Sequence, residues 1–153
     1  MNIQEKIEAL ETEFNEKIKA LKAEVQREEE FPKDGDVYWL INTTGETYWV
    51  QWRGTEIDNK RLSFENAFKT KEEAEFAVEK LKVEAELRKF SRPASEGSAY
   101  IYRLADTNQI GLGVKFYSQS QGTIYFESAE KAQQAIESVG IERIKKYIFG
   151  VED

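Results

Sequence analysis

The chain contains no histidine and no cysteine. The commonest general base, the commonest transition-metal ligand and all thiolate chemistry are therefore outside its repertoire. Catalysis would have to rest on paired carboxylates, a lysine, or a cation held by oxygen ligands. Asp34 and Asp36 stand in a turn-forming run, and Glu56 and Asp58 in what reads as the loop after a second strand. Neither pair has a spacing that fixes a site. Asp106 to Gly111, DTNQIG, begins like a calcium loop, but the twelfth position, where a bidentate acid belongs, is Tyr117. Gly111-Leu112-Gly113 is a lone GxG inside a strand pattern with no helix opening behind it. It fits a bulge or a close backbone approach better than a phosphate cradle. No catalytic residue, metal ligand or cofactor is assigned, and a non-enzymatic protein is expected.

What rises above this background is aromatic. Tyr38, Trp39, Tyr48, Trp49 and Trp52 fall within fifteen residues, and Tyr100, Tyr102, Phe116 and Tyr117 follow in the second half. One reading is bulk for a small core. The other is a surface that stacks a base or receives a partner's side chain, with Arg53, Lys60 and Arg61 close by for a phosphate or an acidic partner. The candidate binding residues are thus Tyr38, Trp49, Trp52, Arg53, Lys60, Arg61, Tyr100, Tyr102 and Tyr117.

The elements that must position them are legible in outline. In residues 1–30 the apolar positions Ile3, Ile7, Leu10, Phe14, Ile18, Leu21 and Val25 are spaced 4, 3, 4, 4, 3, 4. That is a helical stripe of eleven-residue period, which gives a nearly straight or weakly right-handed supercoil. So narrow a seam needs a partner, either a second copy or a helix elsewhere in the chain, and these seven residues are the candidate oligomerisation set. Pro32 and Gly35 break the helix. DVYWLI and ETYWVQW around NTTG then read as a hairpin. A turn centred on Thr43 and Thr44 sets Val37 opposite Val50, Tyr38 opposite Trp49, and Trp39 opposite Tyr48. Val37, Trp39, Ile41, Tyr48, Val50 and Trp52 become the core face, and Tyr38, Leu40 and Trp49 the outer one. RLSFENAF is a candidate third strand.

Thr70, with Glu73 three residues on, opens a helix running to about Phe90. One of its stripes is Ala74, Ala77, Val78, Leu81 and Ala85, and the other is Phe76, Val83, Leu87 and Phe90. After the linker SRPASEG come strand patterns in SAYIYRL, GLGVKFY and GTIYF. A helix capped by Ser128 ends near Gly140, and a last short helix places Ile141, Ile144, Tyr147 and Ile148 to pack back. FKTKEEAEFAVEKL, from Phe68, and FESAEKAQQAIESV, from Phe126, share one pattern, F-x-[ST]-x-E-x-A-x-x-A-[VI]-E-x-[LV]. Half of the chain is too small to bury a core alone. The expected architecture is α+β: an N-terminal helix (1–30), then two similar strand-strand-(strand)-helix units (31–92 and 97–153) packed as one core with antiparallel sheets.

Charge narrows the function. The net charge is −7 and the isoelectric point about 4.9, without the basic surplus a general nucleic-acid binder uses to displace counterions. Residues 1–30 hold nine Glu against five Lys/Arg. Lys6, Lys17, Lys19 and Lys22 interrupt that acid, which argues against a phosphate-like row that imitates DNA. No apolar run marks a signal peptide or membrane span, so a cytoplasmic protein is expected.

FKTKEEAEFAVEKLKVEAELRKF and IYFESAEKAQQAIESVGIERIKKYIFGVED, with the YWxI…W segment VYWLINTTGETYWVQW and the YFGV-like ending YIFGVED, resemble one protein family. These are small accessory proteins of phages and prophages of Gram-positive bacteria. The resemblance spans most of Phe31 to Asp153. It names no catalytic residues, so none are carried over. It implies expression in the cytoplasm of an infected bacterium, and a non-enzymatic product that binds and blocks a component of an anti-phage defence system, either an effector protein or a nucleotide signal. Two other expectations stand beside it: a structural or morphogenetic phage protein assembling through its N-terminal helix, and a nucleoprotein or nucleic-acid partner.

Overall fold

Asn2 and Glu5 open the chain with a reciprocal cap. The Glu5 amide donates to Asn2 Oδ1 (2.8 Å), and the Asn2 amide to a Glu5 carboxylate oxygen (2.7 Å), satisfying two donors that a helix start would leave orphaned. Helix α1 follows as Ile3–Glu29. The structure, a computed structural model, describes residues 2–115 and 120–152, the side chains of 26–29 excepted. The fold is α+β, with antiparallel sheets, as the patterning predicts. The chain divides into two compact units, residues 1–42 with 47–71, and residues 72–153 with the turn residues 43–46. The division falls at Lys71/Glu72, not in the SRPASEG linker, so the helix that the repeat assigns to the first half belongs to the second unit.

In the first unit, β1 (Val37–Ile41) and β2 (Thr47–Gln51) pair antiparallel with Tyr38 opposite Val50, Trp39 opposite Trp49 and Leu40 opposite Tyr48. This corrects the expected register by one residue. Five residues, Asn42 to Glu46, separate the strands, and Gly45 takes φ +83°, so the turn is not centred on Thr43 and Thr44. A one-residue slip exchanges a strand's faces. Tyr38 and Leu40, expected outside, are buried with Trp52, and Phe31, Val50 and Ala67 pack against them. Val37 and Trp49 are exposed. RLSFENAF is not a strand over its length: Glu56–Ser63 forms helix α2. The strand-like remnant is Phe68, whose backbone exchanges two 2.8 Å hydrogen bonds with Trp39. Between them the Asn66 amide copies a strand partner, accepting from the Ile41 N–H (2.8 Å) and donating to the Ile41 carbonyl (2.9 Å).

In the second unit, β3 (Ala99–Arg103) lies between β4 (Ile110–Val114) and β5 (Tyr125–Phe126), all antiparallel. Helices α3 (Lys71–Arg88), α4 (Ala129–Val139) and α5 (Ile141–Phe149) complete it. Val83, Leu87, Ala99, Phe126, Ala132, Ala135, Ile136, Val139 and Ile144 form its buried core. The two stripes read on α3 are redistributed. Ala74, Val78, Val83 and Leu87 are buried, whereas Leu81 is 57% exposed and Phe76 39%. Ser128 caps α4, accepting from the Lys131 amide. Arg143 grips Glu86 through two nitrogens at 2.9 and 3.0 Å, joining α5 to α3. Of the residues expected to pack back from α5, Ile144 is fully buried and Tyr147 and Ile148 partly, while Ile141 is 41% exposed.

The repeat has a topological counterpart. In each instance a hairpin precedes the shared phenylalanine, and that phenylalanine pairs antiparallel with the hairpin's first strand: Phe68 with Trp39, Phe126 with Ala99. A helix starts three residues later in both.

Candidate binding surfaces

The residues expected to form one aromatic surface separate into an interior network, an exposed hairpin face and a tyrosine-lined cleft. The interior network is built on Asp58, in the first turn of α2. Thr55 and Asp58 close a capping box, in which the Asp58 amide donates to Thr55 Oγ1 (3.2 Å) and the Thr55 amide to Asp58 Oδ2 (3.1 Å). The Thr55 hydroxyl and the Arg53 amide also donate to Oδ2, at 2.9 and 3.1 Å. The Tyr38 hydroxyl donates to Oδ1 (2.7 Å) and accepts from the Arg61 guanidinium (3.0 Å). With so many donors, and the Tyr38 hydroxyl foremost among them, the Asp58 carboxyl is held down to about 2. Burial pushes the Tyr38 phenol up, and the bond to Tyr38 raises Arg61.

This arrangement corrects two site expectations. Tyr38 is fully buried and Trp52 7% exposed, their rings meeting edge to face at 5.7 Å. Neither presents a stacking surface. Arg61 is half-buried and donates one nitrogen to the Tyr38 hydroxyl. Asp58, expected in a loop, stands instead in the first turn of a helix. The signal that marks it is Thr55-x-x-Asp58, a helix start immediately after the second strand.

The hairpin's outer face keeps Trp49, 59% exposed, directly across from half-buried Trp39, with Val37 48% exposed beside them. Lys71 lies over the Trp39 ring at 5.9 Å. Arg53 and Lys60 are exposed, and Lys60 pairs with Glu56 one turn earlier (2.7 Å).

The cleft is in the second unit. Strand register sets Tyr100 opposite Gly113 and Tyr102 opposite Gly111. Each ring lies flat across its glycine: a Cβ at Gly111 would sit 2.4 Å from the Tyr102 ring, and one at Gly113 equally close to Tyr100. The GxG is therefore the close approach the sequence indicates, with a tyrosine ring as the approaching group. The Tyr100 centroid lies 6.3 Å from Tyr102 and 6.1 Å, edge-on, from Tyr125, whose hydroxyl accepts from the Ser120 amide (2.9 Å). Tyr125 is buried, Tyr100 half-buried and Tyr102 37% exposed. Tyr100, Tyr102, Tyr125, Arg103, Lys115 and Ser120 line a cleft of about 460 Å³, and among the described residues no acidic side chain lines it. Tyr117, also expected here, lies outside the described residues.

No protein-family pattern, curated protein or solved structure matches this chain.

The cleft's chemistry must then be read from its own groups. Aromatic rings fixed by glycine beneath them offer stacking without side-chain rearrangement, worth about 1–3 kcal/mol per base. Lys115 supplies positive charge there, and Arg103, which also borders the cleft, donates from its guanidinium to Asn108. No group of three or more acidic side chains that could hold a metal ion occurs among the described residues.

Proposed function

We propose that the protein is a non-enzymatic accessory protein of phage type that binds and blocks a component of a bacterial anti-phage system, acting in the host cytoplasm. The tyrosine cleft carries this reading. In a chain of net charge −7, it combines tilted and edge-on aromatic rings, the Lys115 side chain and a lining without acidic side chains among the described residues. That combination suits a ligand both aromatic and anionic, a nucleotide signal rather than a neutral metabolite. The role of Asp58 and Arg61 in holding α2 to the hairpin is consistent with binding rather than turnover, since the most perturbed carboxylate is occupied by structural donors. Among the described residues no helix is long and apolar enough to cross a membrane.

The test is native mass spectrometry of protein purified from defence-positive cells, followed by calorimetric titration with ATP and with a cyclic dinucleotide of two adenosines. A co-purifying nucleotide, or binding lost in Tyr102→Ala and Lys115→Ala, supports the reading. Absence of retained ligand together with flat titrations would remove it. A protein effector is the second reading, favoured by exposed Trp49 and Val37, and Trp49→Ala should then abolish capture of that effector while nucleotide titrations stay flat. A morphogenetic role would instead place the protein in purified virions.

A further inference from the structure

α1 presents its apolar seam to solvent. Ile3, Leu10, Phe14 and Leu21 are 78, 65, 64 and 61% exposed, and Ile18 is half-buried. The 4, 3, 4, 4, 3, 4 spacing reads the same in both directions about Phe14. Turned end for end, the helix sets Ile3 against Val25, Ile7 against Leu21 and Leu10 against Ile18, with Phe14 meeting its own copy. Charge shares this polarity. Glu5, Glu8, Glu11, Glu13 and Glu16, with Lys6 among them, make the first half acidic, whereas Lys17, Lys19 and Lys22, with Glu24, make the following stretch basic. At about 100° per residue, Lys6, Glu13, Lys17 and Glu24 flank one side of the seam. Reversal about Phe14 brings Lys6 beside Glu24 of the copy and Glu13 beside its Lys17. A parallel pair would instead set this flank against Gln4, Glu11, Asn15 and Lys22 of the copy and lose the pairing of Glu13 with Lys17.

We propose that α1 joins two copies of this chain as an antiparallel pair centred on Phe14. The eleven-residue period keeps such a pair nearly straight, and the pairing does not depend on what the cleft binds. Sedimentation velocity on the full chain should give twice the 17.8 kDa chain mass. Phe14→Asp opposes two carboxylates at the centre and should return the single-chain mass with unchanged helical circular dichroism. Glu16→Gln, on the far side of the helix, should leave the pair intact. Orientation is read by oxidising mixed Ile7→Cys and Leu21→Cys chains, in a sequence otherwise free of cysteine. Disulfides between the two variants support reversal, and disulfides of each variant with itself overturn it. A monomer at the highest soluble concentration, a larger assembly, or a Phe14→Asp protein that still pairs would equally overturn the proposal.

Discussion

Asp58 shows how a residue with catalytic-looking chemistry serves the fold. It accepts from Tyr38, Arg53 and Thr55, and so ties the hairpin to α2 through one buried carboxylate. Tyr38→Phe removes the hydroxyl that bridges Asp58 and Arg61 and should destabilise the first unit by about 1–3 kcal/mol, read as a lower urea midpoint. The pH dependence has a definite sign. Asp58 is depressed to about 2 from the ordinary 3.8, so on acidification the unfolded chain takes up its proton first. The stabilisation is complete above about pH 4 and disappears as the pH falls through 2. Glu86, lowered by Arg143, acts in the same direction in the second unit. Asp58→Asn should flatten the acid slope of the first unit's urea midpoint between pH 4 and 2; an unchanged slope would remove Asp58 as its origin.

At the scale of elements, legibility followed periodicity. α1, α3 and α4 carry long apolar or capped patterns and lie close to where those patterns put them. α2 was illegible because its apolar residues, Ile57 and Leu62, are 61 and 39% exposed; it is fixed by a capping box and a buried tyrosine, which leave no stripe. The hairpin's strands were legible but its faces were not. Aromatic residues on both sides left the register to the turn, and the turn is longer than the two residues assumed. The tyrosine–glycine pairs make a sharper test. Gly113→Ala should cost about 1–3 kcal/mol, because Tyr100 is held edge-on by buried Tyr125. Gly111→Ala should cost less, because the more exposed Tyr102 can swing outward, but it should weaken ligand binding as strongly as Tyr102→Ala. Thermal melts and titrations of the two variants separate these effects.

For the whole molecule, all three tryptophans, Trp39, Trp49 and Trp52, fall in the first unit, and α3 to α5 in the second. Tryptophan fluorescence should therefore follow the Tyr38→Phe defect, whereas the loss of about 2–5 kcal/mol expected for Ile144→Ala, a fully buried position, should appear as a far-UV circular dichroism change that tryptophan fluorescence does not follow. The candidate site was half legible for the same reason as the fold. Sequence names aromatic residues but not the side of a sheet on which they emerge, so Tyr100 and Tyr102 line a cleft while Tyr38 and Trp52 are interior. The length of α1 has a consequence of its own. Its 27 residues span about 40 Å, and in a reversed pair the two onward chains leave from opposite tips. Linking two copies in this way would let a symmetric or repeating ligand be held by both at once, converting weak single grips into avidity without adding a contact.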